Sequence, residues 1–554
     1  MKKAAFCLVV LCSYFASAQE EKSKISIFGG LESNSTWYMN DPGLNVVHPD
    51  PAVRSNNYLF VNGKYKGWSA GIQVESYEDK ALLNYNPKYE KTDVATYYLQ
   101  YKNEMVDVTA GYFYEQFGSG LLLRSWEDRQ LGINNALRGG RIIFTPWDWL
   151  KIKGVYGRQR TGFDVANSDI YGTDIEFGLS NIFNFTTTEL SIGGSYVGRD
   201  EKVLTIPNPN YRDRTDAYAA RINFAHGGFY GSAEYDYKSD DAVVEVNGQI
   251  KNNFIKPGQA LLVNLGYTKK GFGIDATVRR LENMTFYSER AAKGNAFNDK
   301  IMNYVPSLTK QQHYNLANIY VYQAQPVVYM PDNTLLKAGE IGGQLDIFYN
   351  FKKGSAIGGK YGTKVAVNIS DWHALAGDFY LPNKDYNTDF IGLGKKYFAD
   401  YNLEIDKKWS EKWHSIFTYV NQYYNAKLVE ATFGLVKTNV VAAESTYKFN
   451  GTRSVRVVAE HLWADSDKKN WAGATAEFNV NPRLSFYASD LYNYGNDDPE
   501  MQNHYYNFGT AFRYKSLRAA LNYGRQRGGL VCVGGVCRFV PESSGLSLSV
   551  NAAF

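Results

Sequence analysis

Residues 545–554 read GLSLSVNAAF, in which Leu546, Leu548, Val550, Ala552 and Phe554 alternate with Ser547, Ser549, Asn551 and Ala553. A period of two places one set on each face of an extended strand, so this segment has an apolar face and a polar one. The same rhythm recurs along the chain. In FYGSAEYDYKS (229–239), Phe229, Gly231, Ala233, Tyr235 and Tyr237 oppose Tyr230, Ser232, Glu234, Asp236 and Lys238. DAYAARINFAH (216–226) sets Tyr218, Ala220, Ile222 and Phe224 against Ala219, Arg221 and Asn223. RSVRVVAEHLW (453–463) sets Val455, Val457, Ala459 and Trp463 against Arg456, Val458 and Glu460. HYYNFGTAFRYKSLRAALNYGRQR (504–527) reads as a hairpin with Phe508, Phe512, Leu517, Leu521 and Tyr523 on one face and Arg513 and Arg518 on the other.

These segments run to about the 9–11 residues that a tilted strand needs to cross a bilayer, longer than the five or six usual in globular sheets. Of the 554 residues 15% are aromatic, led by 44 Tyr, with 50 Gly and only 15 Pro. Tyr has an apolar ring and a wet tip, which suits a boundary between hydrocarbon and water. Mean hydropathy is −0.39, and no run of about 18 apolar residues follows the N-terminal segment, so the chain offers no transmembrane helix. A net charge of +4 from 60 basic and 56 acidic residues argues against a nucleic-acid partner.

Connections alternate in length. Tight ones at 64–68, 102–105, 145–149, 226–228, 269–271, 481–483 and 514–517 interleave with long ones at 39–55, 77–92, 118–138, 200–212, 239–257, 283–340, 372–395 and 528–543. Short periplasmic turns facing long external loops are the asymmetry of an outer-membrane barrel. The sequence therefore predicts an all-β fold, a single-chain transmembrane antiparallel β-barrel of about 24 strands (22–26) over residues 19–554. Segments 140–147, 169–180 and 358–371 alternate weakly and set that range. Closure would pair every backbone group inside hydrocarbon.

The N-terminus, MKKAAFCLVVLCSYFASAQ, has Lys2 and Lys3, an apolar run from Ala4 to Phe15 and a small-residue stop at Ala16-Ser17-Ala18. It predicts a signal peptide over 1–18 with cleavage near Ala18/Gln19, hence export and outer-membrane localisation. The terminal LSLSVNAAF resembles the C-terminal signal of outer-membrane barrels, with Leu546, Leu548, Val550 and Phe554 as the residues read by the barrel-insertion machinery. With that ending, the SAQ motif and YEQFGSGLLLRSWEDRQLGINNALRGGRI (114–142), the chain resembles an uncharacterised group of Bacteroidota outer-membrane β-barrel proteins. That resemblance implies architecture and location but no activity. The chain does not resemble TonB-dependent transporters, which place a globular plug domain before the barrel.

The densest charge cluster lies in 118–141, with Arg124, Glu127, Asp128, Arg129, Arg138 and Arg141 among five glycines beside Leu121-Leu122-Leu123. A loop folded inward could hang these charges in the lumen as a constriction. The apolar LLL-x-x-W favours that reading over an external loop with solvated charges. The insertion 283–340 is long enough to fill a wide lumen as a plug, with LTKQQHYNLANIYVY as a short helix, or to serve as an external partner site. Lumen-facing rows add Arg221, Glu234, Asp236, Arg279, Arg456, Arg513 and Arg518 as candidates. In VCVGGVCRF (531–539) a Gly534-Gly535 turn pairs Cys532 with Cys537 at disulfide range.

The seven histidines show no nucleophile partner at a telling spacing, and Glu460, His461 and Asp465 form no convincing acid–base set, because His461 takes the outward row. Asp497, Asp498 and Glu500 lack the alternating ligand spacing of a calcium loop. No catalytic residue, metal or cofactor is predicted. The function expected is a plugged or gated barrel for solute passage. The alternative is an accessory barrel in an outer-membrane assembly or secretion complex, binding other envelope proteins through its long loops.

Overall fold

The computed structural model describes residues 25–201, 212–244, 250–290, 298–328, 337–380, 385–432 and 434–554. The 1–18 segment and its cleavage site lie outside them, as do parts of the long connections.

Twenty-four antiparallel strands form one closed sheet, in which each pairs with its neighbours in chain order and the last, Ser543–Ala553, pairs with the first, Ser26–Tyr38. In that seam Leu31, Ser33, Ser35 and Trp37 face Ala552, Val550, Leu548 and Leu546. The backbones of Gly29 and Phe554 exchange two hydrogen bonds of 3.0 Å. Gly29 is required there: a Cβ would lie 2.4 Å from the Phe60 carbonyl oxygen and 2.7 Å from the Phe554 ring. The apolar row of GLSLSVNAAF thus joins the outside of the ring, while Ser547, Ser549 and Asn551 join Thr36, Asn34 and Glu32 inside.

Alternation holds around the barrel. Outward residues such as Tyr156, Leu265, Val278 and Phe508 are more than half exposed, a surface that hydrocarbon and not water would cover. Aromatic pairs cluster at the short-turn end: Trp147 with Trp149, Trp409 with Trp413, Phe229 with Tyr267 and Tyr447 with Phe449, at centroid distances of 4.4–5.5 Å. They form a girdle of the kind that sits at a membrane interface. Among the described residues no helix is long and apolar enough to cross a membrane.

All three weakly alternating segments lie largely in strands, Leu137–Trp147, Asp169–Gly178 and Thr363–Tyr380, with 358–362 in a turn before the last of them. Two expected loops are not loops. Strands Phe229–Val244 and Ile250–Lys269 run through most of 239–257. Thr363–Tyr380 and Asp385–Lys408 likewise cover most of 372–395. Both hairpins continue past the point where alternation falters because register shifts near Lys238/Asp241 and Trp372/Leu375 absorb the irregularity. The helix expected in 308–322 is a single 3-10 turn, Leu316–Asn318.

Candidate functional site

Four connections at the long-loop end turn back against the inward faces of the strands. They are the described parts of 77–91, 114–136, 283–338 and 527–542. Leu121, Leu122 and Leu123, each at most 2% exposed, pack with wall residues Val155, Ile170, Val197, Ala260 and Leu281 and with Met284, Phe286 and Met302 of the insertion. The apolar triplet therefore lies indoors. Further round, Tyr314, Leu316, Tyr320 and Tyr322 pack on Trp372, Phe398, Val440, Leu462 and Trp471 of the wall. Tyr322 stacks between Trp372 and Phe398 at 5.9 and 5.2 Å.

Polar anchors complement this packing. Glu340, fully buried at the start of strand Gly339–Phe351, accepts from Arg279 Nη2 (2.6 Å), Tyr322 Oη (2.5 Å) and the Gln325 amide (2.7 Å). The other arm of Arg279 donates to the Pro306 carbonyl at 2.6 Å. Glu460 accepts the Leu316 amide at 2.7 Å, and Trp372 Nε1 donates to the Leu308 carbonyl at 3.2 Å. Glu234 accepts from both the backbone (2.9 Å) and the hydroxyl of Ser119, closing off the Leu121–Leu123 loop. A Cβ at Gly118, whose φ is +50°, would sit 2.3 Å from Glu234 Oε2, so a side chain there would push the carboxylate off Ser119.

The charges of 118–141 divide. Arg129 reaches Glu32 (2.7 Å), Glu127 (3.0 Å) and Gln73 (3.3 Å) and lies 4.3 Å over the Tyr58 ring. Arg124 lies 3.8 Å over Tyr304 of the insertion. Asp128 caps the local turn by accepting the Leu131 amide. Arg141 pairs with Asp107 at 2.8 Å and Glu115 at 3.5 Å on the inward row. Arg138 does not join them. Three residues from Arg141, it has opposite parity, stands in register with Tyr112 and Arg158 and is exposed on the outer row. Odd spacing within a strand sends the two guanidiniums to opposite faces.

Of the wall candidates, Arg221 binds Asp174 (2.7 Å) and Ser195 (2.9 Å), and Arg456 binds Glu444 at 2.8 Å. Asp236 is fully buried beside Glu234, and neither carboxylate oxygen has a hydrogen-bond partner among the described residues. Arg513 and Arg518 stand directly opposite each other near the short turn at 514–517 and enter no ion pair there among the described residues. Elsewhere on the same end, Asp275 and Asp346 also stand opposite each other. Tyr230 and Asn264 hold the first, Asn368 and Gln344 the second, at 2.7–3.0 Å. At this end, then, one like-charged pair of each sign stands on the inner wall, while elsewhere wall charges such as Arg221 and Arg456 are paired with opposite ones.

Sequence reasoning missed Glu340, Trp372 and the fully buried Arg160–Glu75 pair at 2.6 Å. Each occupies an ordinary inward position whose partner lies far along the chain, so no local signal marks it. Outside the barrel sheet, Val531, Cys532 and Val533 pair with Arg538, Cys537 and Val536 around Gly534 and Gly535, both at positive φ, and the cysteines form a disulfide with Cα atoms 4.0 Å apart. The hairpin's tip docks on the insertion: Gly535 O accepts the Ser307 amide at 2.8 Å and Gly534 O the Tyr304 hydroxyl at 2.6 Å. Burial pushes the Arg538 guanidinium down to about 10 and the Asp299 carboxyl up to about 6. Among the described residues no cluster of His, Cys, Asp and Glu could hold a metal ion.

Comparison with known proteins gives fold likeness at low identity. The P pilus usher (PapC) translocation pore is 9% identical over 96% of this chain and 99% of its own, at a TM-score of 0.41. A chain of the E. coli P pilus tip assembly intermediate PapC-PapD-PapK-PapG is 10% identical, with 98% of this chain and 62% of that one covered, at 0.50. The copper transporter OprC is 10% identical over 97% and 82%, at 0.40. No curated protein matches the chain. One family model matches residues 1–554 from end to end, and the chain accordingly belongs to DUF6029, a family of unknown function.

Proposed function

We propose that this protein is an outer-membrane barrel for solute passage whose lumen is plugged by its own loops, 118–138 and 283–338 above all. One observation carries the reading. The insertion makes buried contacts with inward residues on many strands, from Leu281 and Glu340 through Trp372 and Phe398 to Glu460 and Trp471. A loop serving only as an external handle would have no reason to bury Leu316 and Tyr322 completely against that wall. The inner face is polar, and the like-charged pairs Arg513/Arg518 and Asp275/Asp346, on different strands, would place a local field beside any path.

An exterior of exposed apolar residues with an aromatic girdle supports residence in a lipid bilayer. The export segment 1–18 supports the outer membrane, and the resemblance carried by 114–142 a Bacteroidota origin. The ending Leu546, Leu548, Val550 and Phe554 supports delivery by barrel-insertion machinery. Planar-bilayer recording tests the function. The native chain gives rare or small openings, and removal of 283–338 gives a large steady conductance. If both remain silent while a complex with other envelope proteins co-purifies, the accessory-barrel reading replaces this one.

A further inference from the structure

A cavity of about 310 Å³ lies between the insertion, the disulfide hairpin and the inner wall, near the long-loop end of strands Leu484–Tyr492 and Leu517–Gln526. Three cations and no carboxylate line it. Two of the cations are already balanced from behind. Arg525 makes a two-pronged pair with Asp41 at 2.6 and 2.7 Å, and Lys310 meets Glu404 at 3.2 Å. Arg527 is different: among the described residues its guanidinium donates only to two carbonyls, of Gly528 (3.1 Å) and Asn318 (3.2 Å), and no described carboxylate lies within ion-pair distance. The carboxylate of Glu542 takes the Tyr505 hydroxyl at 2.6 Å instead.

Arg527 is partly buried; drawing a cation even partly out of water with no counter-ion beside it carries a cost, and burial pushes its guanidinium below its ordinary range. An anion entering the cavity would relieve that cost with charge-assisted hydrogen bonds. The rest of the lining is neutral and polar. Among the described residues no protein donor reaches the side-chain amide oxygens of Gln311, Asn315 or Asn507, so the cavity offers acceptors for hydroxyl groups beside one uncompensated cation. Its volume is at the small end for ligand sites.

We propose that this cavity binds a small anionic polyol of the sugar-acid type, its carboxylate on Arg527 and its hydroxyls on the amides of Gln311, Asn315 and Asn507. The site rests on the solute-passage reading for its purpose, as a place where a solute is held at the insertion before passage, but binding is measured independently of conductance.

Titration calorimetry on the full chain in detergent, with glucuronate, glucose and inorganic phosphate as probes, tests the proposal. Glucuronate should bind about tenfold or more tightly than glucose, the effect of one charge-assisted contact, and more tightly than phosphate. R527Q should abolish the preference over glucose. S489W should fill the cavity without touching Arg527 and abolish glucuronate binding, with the barrel's heat-modifiable migration on gels retained; it decides the matter if R527Q does not fold. Equal binding of glucose and glucuronate overturns the proposal, as does phosphate binding equal to glucuronate, survival of glucuronate binding in S489W, or no binding at all. None of these results alters the conductance test of the barrel itself.

Discussion

Replacing Glu340 by Gln isolates the strongest anchor of the insertion. In the native protein Glu340 is 0% exposed and Arg279 1%, and the carboxylate accepts three hydrogen bonds, two of them from the insertion residues Tyr322 and Gln325. Removing one member of a buried ion pair typically costs about 3–5 kcal/mol, because the survivor stays buried and uncompensated. At about 1.4 kcal/mol per tenfold, the population with the insertion undocked should rise by roughly two to three and a half orders of magnitude. Most of the cost should fall on docking and little on the barrel, whose strands keep their ladder hydrogen bonds.

Hydrogen exchange by mass spectrometry reads this directly. Amides of 304–328 should lose protection in E340Q, while strands Ser454–Ala464 and Trp471–Asn481 exchange as before. Steady conductance should appear in parallel. The double variant R279M/E340L should recover part of the protection, since replacing both charges by apolar groups removes the desolvation penalty, though Tyr322 and the Gln325 amide still lack their acceptor. The reasoning is refuted if E340Q leaves 304–328 as protected as in the native chain, or if protection is lost equally across the barrel strands.

Four further outcomes follow from the same geometry. Leu122→Ala should cost about 2–5 kcal/mol of loop docking, seen as faster exchange across 117–125 with the barrel unchanged. Asp299 accepts from Asn86, and burial raises its carboxyl from 3.8 to about 6. The native state therefore holds the proton more tightly than the open one, and contact between 77–91 and the insertion should weaken as pH rises through about 4 to 6, by at most roughly 3 kcal/mol. Protection of 81–89 should track that window and become pH-independent in D299N. Reducing Cys532–Cys537 with a dithiol frees a short loop worth about 2 kcal/mol of chain entropy, and residues 304–311 should exchange faster afterwards. Phe554→Ala removes the ring that covers Gly29 and should lower the yield of assembled barrel in membranes, read as the heat-modifiable fraction on gels.

How much of this could be read from residues in order follows from the range of each interaction. Strand positions and facing rest on a two-residue period that repeats locally, so the order of residues alone places Arg221, Glu234, Arg279 and Arg456 on the inner rows. The Gly534-Gly535 turn gave the cysteine pairing for the same reason, since two residues at positive φ fix the neighbouring register. Arg138 escapes because charge density alone marks 118–141 as one cluster, whereas Leu137–Trp147 is already a strand in which parity rules. The ends of 239–257 and 372–395 escaped because bulges break the period without ending the sheet.

From sequence alone came a membrane-type barrel with an apolar outside and a polar inside, since lipid and water select opposite faces of every strand. What fills that inside was decided only in three dimensions. Trp372 and Glu460 meet residues of the insertion at Leu308, Tyr322 and Leu316, and contacts between wall and loop residues so distant along the chain leave no periodic trace in it.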